Sequence, residues 1–263
     1  MTVVLHISDL HLGTEQAPVV NALCELAREL RPDLLIVSGD ITQRARTAQF
    51  RRAAELVREL GARHVLAIPG NHDVPLFDVP ARLLSPYAGY CRFFGDELEP
   101  HFEAGDCLVL SVKTTRRYRH VDGEISPAQR DRIAARLRSA SSQQLRLVVL
   151  HQPIAVPRPS EEHNVVNGRD PAMQLWAEAG ADLVLSGHIH LPFVLPLHES
   201  FALARPLWAV SAGTAISSRV RHDAGNSLNI IRTAATPRSS IVEQWDFDGA
   251  AQRFLRAREH RLG

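Results

Sequence analysis

Lysine is all but missing from this chain. Of its 30 basic residues only Lys113 is a lysine, so arginine carries the positive charge. Acidic residues number 29, which leaves a formal net charge of +1. With neither sign in excess, no global field recruits nucleic acid or an anionic membrane. Cysteine is scarce as well: Cys24, Cys91 and Cys107 make neither an even set nor a close pair. That argues against a disulfide scaffold and fits a reducing cytoplasm. No apolar run approaches the roughly 20 residues that span a bilayer. Met1 and Thr2 run straight into the apolar run at Val3, so no charged, cleavable leader is expected. The expectation is a cytoplasmic protein without a membrane span.

What is present reads as an α/β chain. Its 263 residues, 45% hydrophobic, suffice for one large core. We expect a single domain over residues 1–250 and a frayed, basic C-terminal tail over 251–263. The first strand runs from Val3 to Ser8. Ala17 to Leu30 carries apolar residues at helical spacing until Pro32 stops it. Strands are expected over 33–38, 63–68, 145–150 and 182–186, with helices over 47–60, 126–139 and 170–179. Alternation of strand and helix predicts a parallel sheet with covering helices. Residues 74–99, punctuated by Pro75, Pro80 and Pro86, predict a loop and a short helix. A hairpin turning at Gly105-Asp106 should follow. After His190 the chain turns to short strands, which we expect to form a second sheet packed on the first.

Five apolar runs end in residues suited to ligation rather than packing. They deliver Asp9 and His11, Asp40, Asn71-His72-Asp73, His151, and His188 with His190. In open α/β sheets the carboxyl edge of the strands is where ligands bind. Asp9 and His11 are two apart, as are His188 and His190, so on extended segments each pair can point to one side. Two carboxylates, an amide oxygen and four imidazoles exceed the needs of one ion and suit two ions sharing a bridge. Imidazole with carboxylate favours Zn, Fe or Mn over Mg or Ca. Two metals roughly 3.5–4 Å apart are a recurring arrangement for cleaving phosphate esters.

The order Asp-x-His, Gly-Asp, Gly-Asn-His-Asp, a lone His and Gly-His-x-His resembles the calcineurin-like metallophosphoesterase family. It is most similar to bacterial cyclic-nucleotide and glycerophosphodiester phosphodiesterases. The resemblance implies a four-layer α-β-β-α sandwich of two mixed sheets flanked by helices, with a dinuclear site at one edge. It implies that Asp9, His11 and His190 hold one ion, that Asn71, His151 and His188 hold the other, and that Asp40 bridges them. His72 would donate to a phosphoryl or leaving-group oxygen, oriented by Asp73 or a nearby acid. The nucleophile would be a metal-bound hydroxide attacking in line. The substrate implied is a small-molecule phosphodiester, with a cyclic nucleotide as first choice. A homodimer lies within what the resemblance implies. The competing readings are a broad phosphomonoesterase, a DNA exonuclease and a non-catalytic metal-binding scaffold; the near-neutral charge counts against the nuclease. One departure is Gln152, where many relatives carry a second histidine before Pro153. Arg116, Arg117, Tyr118 and Arg119 could meet a phosphate or purine, and Asn164 to Asp170 could face substrate. His6 should be structural.

Overall fold

Alternation of side chains decides how the strands are used. In Val3–Ile7 (β1) and Leu34–Val37 (β2), Leu5, Ile7, Leu35 and Val37 face one core, while Val4, Leu34 and Ile36 face another. A strand buried on both faces must sit between two layers. The computed structural model describes residues 1–234 and 240–262. Its first sheet runs β12-β11-β10-β1-β2-β3, and its second runs β4-β5-β6-β7-β9-β8.

The remaining strands are His64–Ala67 (β3), His101–Ala104 (β4), Cys107–Ser111 (β5), Leu145–Val149 (β6), Leu183–Ser186 (β7), Pro192–Pro196 (β8), Trp208–Ala212 (β9), Ser227–Arg232 (β10), Ile241–Asp248 (β11) and Arg253–Arg261 (β12). The helices are Ala17–Leu30 (α1), Thr47–Glu59 (α2), Val79–Leu84 (α3), Ala88–Phe94 (α4), Pro127–Arg138 (α5), Arg169–Ala179 (α6) and Leu197–Ser200 (α7).

Three cores follow from this arrangement. Leu23, Leu26, Phe50 and Leu56 of α1 and α2 cover the outer face of the first sheet. Ile133, Leu137, Met173 and Trp176 of α5 and α6 cover the second. Val4, Ile36, Val109, Leu147, Leu185 and Val210 fill the space between the sheets. The result is the four-layer sandwich of two mixed sheets expected above. Among the described residues no helix is long and apolar enough to cross a membrane.

β1, β2 and β3 are parallel neighbours, and so are β5, β6, β7 and β9. All their carboxyl ends therefore open on the same side of their sheets. Two expectations need correction. The strands after His190 do not make a sheet of their own. β8 and β9 extend the second sheet, whereas β10 returns antiparallel to β1 and brings β11 and β12 into the first. Nor is 251–263 a frayed tail. β12 pairs with β11 along its length, with Phe254 buried on α1's side; Gly263 lies outside the described residues. Its charged residues are those of an exposed edge strand.

Candidate metal centre

Beyond β1, β2 and β7 the chain does not stay extended. Asp9, His11, Asp40, His188 and His190 all have positive φ, between 44° and 71°. The left-handed region costs a non-glycine residue about 1–3 kcal/mol and persists only where the surroundings enforce it. Backbone bonds enforce it here: the Asp9 amide donates to the Gly39 carbonyl at 3.1 Å, and the His11 amide to the Asp40 carbonyl at 2.9 Å. The His188 amide donates to Asp9 Oδ2 at 2.9 Å. The paired motifs thus aim their side chains by curled backbone, not by the extended alternation expected from their spacing.

Seven expected ligands meet at this edge. The ligating atoms of Asp9, His11 and His190 lie within 4.8 Å of one another, as do those of His11, Asp40 and His72, and those of Asp40, His151 and His188. Asn71 joins the third group through Oδ1, 3.1 Å from His151 Nε2. Asp40 stands between the groups, with Oδ1 3.3 Å from His151 Nε2 and Oδ2 3.7 Å from His11 Nε2.

The hydrogen bonds fix which ring atoms face inward. His151 donates Nδ1–H to the Ser38 carbonyl at 2.8 Å, and His190 donates Nδ1–H to the Arg219 carbonyl at 2.6 Å. Once its Nε2 proton is gone, each ring presents a lone pair to the cluster, the arrangement by which backbone carbonyls orient metal-binding imidazoles. Nε2 of His151 faces the Asn71 oxygen, and Nε2 of His11 lies 3.0 Å from Nε2 of His190. With these rings deprotonated, acceptor faces acceptor, a repulsion that a cation between them, proton or metal ion, relieves. Asp9 Oδ1 and His188 Nδ1 are buried without a hydrogen-bond partner, so the residues present fit a pair of bound ions.

The electrostatics point the same way. Burial opposes charge on His151, but the Asp40 carboxylate draws a proton onto it and pushes it up to about 9. Asp40 is held well below the usual carboxylate range, burial being overcome by His151. Asp9 is likewise brought to about 2, against its burial, by His190. Burial keeps His11 neutral, down at about 3, and burial with the neighbouring His151 takes His188 to about 4.

Asp73 does not orient His72. Its carboxylate accepts from the amides of Ile41, Thr42 and Gly70 at 3.0, 2.7 and 2.9 Å and from Thr42 Oγ1, pinning the loop after β2 to the loop after β3. Burial and the nearby Asp40 push it up to about 6. His72 is aimed instead by the Gln43 carbonyl, 3.0 Å from Nδ1, and its Nε2 lies 3.3 Å from Arg219 Nη1. Neither Gln43 nor Arg219 stands out in the sequence; both are ordinary loop residues with no motif to mark them.

The other candidate loops are tied down elsewhere. Arg116 bonds Gln129 and the Lys113 carbonyl, Arg117 the Leu83 carbonyl, and Tyr118 the Glu124 carboxylate. Within 164–170, Asn164 bonds Glu161, Asn167 bonds the Gly123 carbonyl and Arg169 pairs with Glu162. Gln152 is buried; it accepts from Thr114 Oγ1 at 2.5 Å and donates to the Val121 carbonyl, a structural link. His6 is buried against Ser38, as expected for a structural residue.

Residues 2–192 match the family model of calcineurin-like phosphoesterases. A probable cyclic nucleotide phosphodiesterase of Synechococcus sp. is 28% identical over 201 residues, 73% of this chain and 74% of that protein. A cAMP/cGMP dual specificity phosphodiesterase of Mycobacterium tuberculosis is 28% identical over 212 residues, 72% of this chain and 61% of that one. Among solved structures, purple acid phosphatase from yellow lupin (Lupinus luteus) seeds superposes with a TM-score of 0.70 at 14% identity. It matches 97% of this chain, which spans about half (52%) of the lupin chain.

Proposed function

The chain belongs to the calcineurin-like phosphoesterase family and is a metal-dependent phosphoester hydrolase, and on that premise we propose that it cleaves a phosphodiester, with a cyclic nucleotide as substrate. The observation that carries the reading is the chain of ligand groups sharing His11 and Asp40 at the strands' carboxyl edge. In this reading Asp9, His11 and His190 hold one ion, Asn71, His151 and His188 the other, and Asp40 serves both. Two ions of Mn, Fe or Zn would acidify a bound water and neutralise charge on the phosphoryl oxygens. His72, turned by Gln43, would act on a phosphoryl or leaving-group oxygen. The diester is favoured over the monoester by the names of the two bacterial relatives. Three free cysteines support a reducing, cytoplasmic setting, and a homodimer belongs to the same reading.

The test is turnover of bis-p-nitrophenyl phosphate against p-nitrophenyl phosphate after reconstitution with Mn²⁺, with metal content measured in parallel. Two ions per chain and a preference for the diester are expected, and cyclic nucleotides are then the next substrates. Preference for the monoester would make the protein a phosphatase. A chain that binds no metal would overturn the reading.

A further inference from the structure

We propose that Arg219 is a substrate-contacting residue that grips a non-bridging phosphoryl oxygen of the diester, and that Gln43 and His72 aim it. This rests on the hydrolase reading above and adds a residue outside the matched motifs. Arg219 Nη1 lies 3.1 Å from Gln43 Oε1 and 3.3 Å from His72 Nε2, and His72 belongs to the cluster with His11 and Asp40. Gln43 meets it with an amide oxygen, and His72 meets it with the ring nitrogen turned away from the Gln43 carbonyl. Among the described residues no carboxylate comes within 4.0 Å of the guanidinium. A half-buried cation without a carboxylate partner thus stands beside His72 at the rim of the candidate ligand cluster.

The placement is built rather than incidental. The Arg219 carbonyl accepts from His190 Nδ1 at 2.6 Å, and its amide donates to Ser217 Oγ at 3.2 Å. One residue therefore orients a candidate ligand with its backbone and presents a cation with its side chain. Nη2 and Nε have no hydrogen-bond partner among the described residues, so a fork of donors remains for an oxyanion. His72 Nδ1 faces the Gln43 carbonyl and its Nε2 faces Arg219, so the guanidinium presents its donors beside the ring.

The experiment compares Arg219→Ala and Arg219→Lys with the parent, each loaded with Mn²⁺. It reads metal content, kcat and KM on bis-p-nitrophenyl phosphate, and orthophosphate affinity by calorimetry. Arg219→Ala should keep two ions, lose roughly 10- to 100-fold in kcat/KM, and bind orthophosphate at least about tenfold more weakly, the size of one charged hydrogen bond. Arg219→Lys should recover part of both, because it restores the charge without the fork. Unchanged kcat/KM and orthophosphate affinity in Arg219→Ala would overturn the proposal. So would a loss of activity that only follows a loss of metal, which would reduce Arg219 to a prop for His190. Should the metal-loaded parent hydrolyse neither ester, the hydrolase reading fails, and orthophosphate calorimetry on the same three proteins still decides Arg219.

Discussion

Asp40 touches both halves of the candidate centre, and among the described residues no other side chain faces His11 on one oxygen and His151 on the other. Its Oδ1 also accepts the His72 amide at 2.8 Å, so it sets the start of the turn that carries Asn71. Asp40→Ala should leave fewer than two ions per chain and abolish the paired site, read by elemental analysis of the purified variant. Full occupancy of both positions would defeat the bridging assignment. The proton on His151 yields a second expectation. In the metal-free chain Asp40 raises this imidazole from 6.5 to about 9, so an incoming ion must displace a proton. Apparent Mn²⁺ affinity should therefore climb as pH rises toward about 9 and flatten above it. Calorimetry in two buffers of different ionisation heat would show the released proton; affinity indifferent to pH below 9 would refute it. At this scale the cluster of candidate ligands was legible because Asp, Asn and His at the ends of apolar runs are chemically conspicuous. The partners of His72 were not. Gln43 and Arg219 lie 29 and 147 residues away from it, and nothing local distinguishes them from solvated loop residues.

The elements bring these residues together through glycines at two strand ends. Gly39, at φ 99°, leaves no room for a Cβ against the His151 ring. At Gly70 a Cβ would collide with the backbone nitrogen and Oδ1 of Asp40. Gly70 has an ordinary φ of −92°, so close approach alone explains it. Gly70→Ala should displace Asp40, costing about 1–3 kcal/mol of overpacking and part of the metal content. Thermal unfolding and elemental analysis would check both; a variant with parental stability and two ions would show that the loops yield. Local signals served the longer helices well, but they showed one short helix where α3 and α4 lie and none at α7. α1 carries Pro18 in its first turn and is capped by Arg31, in the left-handed region before Pro32, cues that sit within or beside the segment itself. β10 to β12 carried no such cue. Their sheet is decided by β10 lying beside β1, more than 200 residues away in the sequence, and strand pairing over that distance leaves no local trace. β12 read as a tail because only Phe254 and Leu262 among its side chains and the next residue are buried, which hides the period of two.

The two sheets are also fastened at the end away from the metal centre, and Asp106 is the fastening. It turns the β4–β5 hairpin of the second sheet and accepts from the Thr2 amide at 2.8 Å, Thr2 Oγ1 at 2.6 Å and Thr233 Oγ1 at 2.7 Å. Thr2 precedes β1 and Thr233 follows β10, both in the first sheet. The N-terminal ammonium adds a contact at 3.1 Å. Burial would raise the Asp106 pKa, but the Thr2 and Thr233 hydroxyls outweigh it and bring it from 3.8 to about 2. A carboxylate with a depressed folded-state pKa contributes stability that is complete above the unfolded value of about 3.8 and is lost as pH falls through the folded value of about 2. Asp106→Asn keeps the shape and removes the charge. Because the carboxylate is only partly shielded from solvent, the loss at neutral pH should be about 1 kcal/mol. Protonation makes the parent's side chain resemble the variant's, so the deficit should shrink as pH is lowered from about 4 toward 2. Urea denaturation of parent and variant across that range would measure the difference directly. A deficit of constant size would mean that shape, not charge, holds the sheets at this end.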